Sequence, residues 1–84
     1  MDHAGRKRIL VVDNDPRVRE ILHLAMEDSG HKVDTSPDGE LAWGALLSNN
    51  YDVLVTDEDD GSKTRCMASE QRIPVISCLD YLQS

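Results

Sequence analysis

A chain of 84 residues with a formal net charge of −7 and a pI near 4.7 has room for one domain and argues against nucleic acid or an anionic membrane as its main partner. A domain this short buries only about 60% of the surface of its unfolded chain, so its stability margin is thin. Residues 1–5 lack the apolar stretch of a signal peptide and no run approaches membrane-spanning length, so a cytoplasmic location is expected.

Residues 1–7 carry the start of the sole basic cluster, Arg6-Lys7-Arg8, and read as a solvated, disordered N-terminal segment. Residues 8–13 contain Ile9-Leu10-Val11-Val12, a continuous apolar run of the kind buried on both faces of a parallel sheet. Asp15-Pro16 then opens a helix, Asp as N-cap and Pro at the first helical position. Val18, Ile21, Leu22 and Ala25 follow at i, i+3, i+4 and i+7 and form its expected buried stripe. Gly30 suits the position just past the helix end.

Residues 32–36 read as a strand carried by Val33 and Thr35, and Ser36-Pro37-Asp38-Gly39 as a turn. A second helix is expected over 40–48, with Leu41, Ala42, Ala45 and Leu46 as its apolar face and Trp43 packed at the edge of the core. Gly44 costs that helix about 1 kcal/mol relative to Ala. Residues 52–57 form the clearest strand: Val53-Leu54-Val55-Thr56 closed by Asp57. Residues 64–71 are expected as a short helix and residues 73–79 as a last strand, with Pro74 near its start where a missing donor is tolerated. Strands alternating with helices predict right-handed crossovers and an α/β fold with a parallel sheet.

Asp13 and Asp57 each end an apolar run. On neighbouring parallel strands they would stand side by side at the carboxyl ends, where open α/β sheets bind ligands. Asp15 lies nearby and Glu58, Asp59 and Asp60 follow Asp57, so a hard cation or a phosphoryl group is the natural partner of this edge. Other chemistry finds no support. His3, His23 and His31 do not cluster, and Cys66 and Cys78 lack metal-type spacing and are assigned no function. Without a Ser-His-Asp or Cys-His arrangement or a phosphate-cradling Gly loop, an enzyme acting on a separate substrate is not expected.

Residues 9–61 resemble the receiver domain of bacterial two-component response regulators. Ile9-Leu10-Val11-Val12-Asp13-Asn14-Asp15-Pro16 looks like the family's first strand and acidic turn, Pro37-Asp38-Gly39-Glu40 like the start of its second helix, and Tyr51-Asp52-Val53-Leu54-Val55-Thr56-Asp57 like its third strand. The resemblance implies a three-layer, flavodoxin-like fold: strand, helix, strand, helix, strand, short helix, strand, in spatial order 2-1-3-4 and cut short after the fourth strand. It implies that Asp57 is the phosphoacceptor and that Mg²⁺ is held by Asp13, Asn14 and Asp57, with Asp15 and Asp59 as further candidates. The donor would be a histidine kinase or phosphotransfer protein. Carboxylates form aspartyl phosphates, and Mg²⁺ is commonly bound by one or two carboxylates plus phosphate oxygens.

The chain departs from the family's pattern at four places. Asn14 stands where a metal-binding acid is usual. Only Glu58, Asp59 and Asp60 separate Asp57 from Gly61. Leu79 takes the place of the switch Ser or Thr, with Ser77 the nearest hydroxyl in that run, and no lysine follows Lys63. Without a fifth strand or last helix, Ile73, Val75, Ile76 and Leu79 form an expected interaction edge that pairs with a second copy. Two functional readings stay open: a phosphoacceptor without an output segment for DNA, and a non-phosphorylated pseudo-receiver that acts as a dimerising interaction module. A third is an unrelated small α/β domain whose acidic turn is only solvated.

Overall fold

The computed structural model describes residues 6–56 and 68–78. Four strands, β1 (Arg8–Val12), β2 (Lys32–Ser36), β3 (Val53–Thr56) and β4 (Val75–Ser77), and two helices, α1 (Pro16–Asp28) and α2 (Gly39–Ser48), follow the expected alternation. The strands form one sheet in the order β2-β1-β3-β4, every pair parallel. This is the flavodoxin-like arrangement, with strand order 2-1-3-4. Of the short helix expected over 64–71, the described part is a helical turn at Ala68, Ser69 and Glu70. No helix among the described residues is long and apolar enough to cross a membrane.

Both faces of the sheet are covered, which is why the strands read as continuous apolar runs. Because successive side chains point to opposite faces, Ile9, Val11, Val33 and Val55 meet Leu22 and Met26 of α1, together with Cys78. Leu10, Val12 and Leu54 meet Ala42 and Leu46 of α2, together with Tyr51, Ala68 and Ile73.

Helix α1 begins as its sequence predicts: Asp15 sits in extended backbone (φ −89, ψ 114) and its side chain accepts from the Arg17 N–H. It ends before Gly30, whose φ of 94 lies in the left-handed region that glycine enters without a Cβ penalty. The stripe is corrected. Leu22 and Met26 are buried with Val18 partly so, whereas Ile21 is 56% exposed and Ala25 is exposed too. Packed on β2 and β1, the helix presents one narrow line at i, i+4, i+8 instead of the broader face.

Helix α2 is capped by Asp38, which accepts from the Leu41 N–H at 2.9 Å. Ala42 and Leu46 are buried, but Leu41, counted on the apolar face, is 60% exposed, and Trp43 is 45% exposed at the rim. Strand β4 is shorter than the run 73–79. Ile73 precedes it and sits in the α2-side core, its N–H donating to the Ala68 carbonyl at 2.8 Å, while the Pro74 carbonyl accepts from Leu54. At the other end of the sheet, Lys7 in the expected N-terminal segment already bonds: its N–H donates to His31 Nδ1 at 3.0 Å and its carbonyl accepts from the Lys32 N–H.

Candidate functional site

Register sets the site. Ser36, Val12, Thr56 and Ser77 form one row across all four strands at their carboxyl ends. The next residue on β1 is Asp13, only 6% exposed. A buried carboxylate is costly unless hydrogen-bonded, and Asp13 is restrained from three directions. Its N–H donates to the Ser36 carbonyl of β2 at 3.2 Å. Its Oδ1 accepts the Asp15 N–H at 2.8 Å. Its own carbonyl accepts from the Arg19 guanidinium at 2.7 Å.

Asn14 follows, exposed on the turn. The Asp15 side chain caps α1. Its Oδ1 accepts the Arg17 N–H at 2.9 Å, and its Oδ2 lies 3.4 Å from the Arg17 guanidinium. The Arg17 backbone N–H, aided by the Arg17 side chain, holds the Asp15 carboxyl below its ordinary range. Both oxygens thus turn back onto α1 as its cap. Thr56 is fully buried at the end of β3, level with half-buried Ser77. Cys78 is buried, its thiol directed at the Val12 carbonyl.

Asp57 follows Thr56 directly in sequence. It lies outside the described residues, as do Asp59, Cys66 and Leu79. Of the expected interaction edge, Ile73 is buried, Val75 half-buried and Ile76 37% exposed. His23 pairs with Glu27 at 2.9 Å on the outer side of α1, away from His31, which holds Lys7.

Among the described residues no three His, Cys, Asp or Glu side chains gather in the manner of a closed metal cage. Two residues with oxygen-bearing side chains follow one another at the edge, buried Asp13 and exposed Asn14. One or two carboxylates with retained waters is the donor set Mg²⁺ takes, whereas zinc sites are built mainly from Cys and His. The residues present therefore fit a magnesium-type ion. Arg19 is the site residue that pattern reading passed over. Its one signal is position, a single helical turn beyond the cap Asp15 and so level with the strand end.

No model of a known protein family matches the chain. Among curated proteins it is similar to the transcriptional regulatory protein ResD of Bacillus subtilis, 33% identical over 57 residues, which take in 68% of this chain and 24% of ResD. It is also similar to the transcriptional regulatory protein TcrA of Mycobacterium tuberculosis, 42% identical over 50 residues, 60% of this chain and 20% of TcrA. The chain thus spans a quarter or less of the length of these relatives.

Among solved structures, the chemotaxis response regulator CheY4 of Vibrio cholerae superposes with a TM-score of 0.75 at 20% identity, over 86% of this chain and 67% of that one. That likeness concerns the fold. Response regulator TrrA of Thermotoga maritima, solved in complex with histidine kinase ThkA, gives a TM-score of 0.68 at 36% identity, over 84% of this chain and 66% of TrrA. The same regulator with Mg²⁺-BeF gives 0.59 at 43% identity, over 61% of this chain and 44% of that one. The chain belongs to the CheY-like receiver family of response regulators, the proteins of two-component signalling.

Proposed function

We propose that this chain is a phosphoacceptor receiver of a two-component phosphorelay, in which Asp57 takes the phosphoryl group. The observation that carries the reading is the Val12↔Thr56 pairing. It ends β1 and β3 at one level, with buried Asp13 next on one strand and Asp57 next in sequence on the other. A carboxylate oxygen of Asp57 attacks phosphorus, the new O–P bond forms, and the donor's P–N or P–O bond breaks with its electron pair leaving on the donor. The donor is a histidine kinase or phosphotransfer protein, a partner class supported by the kinase complex of the similar regulator TrrA. The chain is then the substrate of that donor and turns over no separate molecule.

Asp13, Asn14 and Asp57 would hold Mg²⁺, with Asp15 and Asp59 as further candidates; TrrA bound to Mg²⁺-BeF supports magnesium as the ion. Bound there, the ion offsets the repulsion between two anions. Asp13 contributes a fixed, largely desolvated carboxylate, while Asp15 shapes the turn through its N–H and caps α1 through its side chain. The reading places the protein in the cytoplasm, without nucleic acid or membrane as a partner.

Intact mass after incubation with a small acyl phosphate and Mg²⁺ tests this. One added phosphoryl group is expected, absent without metal and absent in Asp57→Asn. No adduct on the folded chain would overturn the phosphoacceptor reading in favour of a pseudo-receiver that works through its exposed β4 edge, the reading that Ile76 exposure favours.

A further inference from the structure

We infer that Arg19 is the positioning residue that aims both candidate metal donors of the acidic turn, an assignment that rests on the reading just given. Its guanidinium Nη1 donates to the main-chain carbonyl of Asp13 at 2.7 Å. That carbonyl belongs to the planar peptide unit joining residues 13 and 14, so one bond fixes the exit of Asp13 and the approach to Asn14 together. Charge-assisted bonds are the stronger kind, and this one spans from the second turn of α1 to the end of β1.

The use of this arginine is unusual for its surroundings. Among the described residues the arginine–carboxylate pairs are Arg8–Asp34 and Arg17–Asp15, and neither employs Arg19. Its cation is spent on an uncharged carbonyl, that of Asp13, an acidic residue that has its own restraints. Asp13 is already held by Ser36 from β2 and by Asp15 from the turn. Those two bonds fix its N–H and one carboxylate oxygen, and the second closes a ring through the 13–14 peptide without holding that peptide's carbonyl. Arg19 supplies the missing restraint. Tipping that plane would swing Asn14 and redirect the second oxygen of Asp13, while leaving the sheet and both cores intact.

The test is a calorimetric titration of the folded chain with Mg²⁺, comparing the wild type with Arg19→Ala and with Arg19→Met, which keeps the packing stem and removes every donor. Melting temperatures are measured without metal alongside. Loss of a group that orients a metal ligand weakens the metal by about 10- to 100-fold, and a drop of about tenfold or more is expected in both variants. A merely structural role would lower the metal-free melting temperature and leave Mg²⁺ affinity unchanged, which would overturn the inference. Should Arg19→Ala fail to fold, Arg19→Met decides. A wild type that binds Mg²⁺ and gains a phosphoryl group, beside variants of equal affinity, removes the role of Arg19 alone. A wild type that does neither removes the reading of the site as well.

Discussion

Arg8 and Tyr51 organise the end of the sheet opposite the acidic edge. The Arg8 guanidinium lies 5.1 Å from the centre of the Tyr51 ring, 3.1 Å from Asn49 Oδ1 and 3.5 Å from Asp34 Oδ2. The Tyr51 hydroxyl donates to the same Asp34 oxygen at 2.7 Å. Burial first, then the Asp34 carboxylate, pushes the Tyr51 phenol up from its ordinary 10 to about 12. The neutral phenol is therefore favoured in the folded chain. Its contribution to stability is complete below pH 10 and is lost as the pH rises from 10 towards about 12. Tyr51→Phe should lower stability at neutral pH by about 1 kcal/mol, the net worth of a hydrogen bond to a partly exposed carboxylate. It should also flatten the loss of stability between pH 10 and 12, read from urea midpoints across that range. An unchanged alkaline slope would refute the assignment. None of this was legible in the sequence, because Tyr51 and Asp34 are 17 positions apart and meet only once β1 lies between their elements.

At the scale of elements, helix starts were legible and helix faces were only half so. Asp15 and Asp38 cap where a short acid in extended backbone can reach an orphan N–H, an interaction confined to neighbouring residues. Which residues then meet the sheet depends on how the helix is rotated over it, and Ile21 and Leu41 came out exposed though each continues an apolar spacing. Gly44 offers a clean test of propensity. It lies inside α2, and a Cβ built there meets nothing within 4 Å. Gly44→Ala should therefore stabilise the chain by about 1 kcal/mol, seen as a higher urea midpoint at unchanged slope. A neutral or negative effect would mean that the exposed side of α2 is constrained by something other than helix propensity.

For the whole molecule, the parallel sheet follows from the alternation of elements, and its order sets Ser36, Val12, Thr56 and Ser77 in one row at the carboxyl ends. The fold also leaves apolar surface outside: Ile21 and Leu24 on α1, Leu41 and Leu47 on α2, and Ile76 on β4. Strand β4 pairs with β3 along one side, and among the described residues no strand pairs along its other. Unpaired edges recruit further strands, so a homodimer through β4 is the expected state at micromolar concentration, and Ile76→Lys should dissociate it. Light scattering that returns the 9.4 kDa of one chain for the wild type would overturn this.

The sequence by itself determined the strands, the Asp15 cap, the order of elements and the acidic character of one sheet edge, because each depends on residues within a turn or a strand of one another. Asp13 was legible as a strand-end acid for that reason: an acid closing a buried run has only the strand end to occupy. Tertiary structure decided the rest. It joined Asp15 to the Arg17 side chain, sank Ile73 into the core, turned Ile21 to solvent and brought Arg19 onto the Asp13 carbonyl. Helix rotation and side-chain reach are set by packing against strands distant in the chain, and a pattern read along one element carries no information about them.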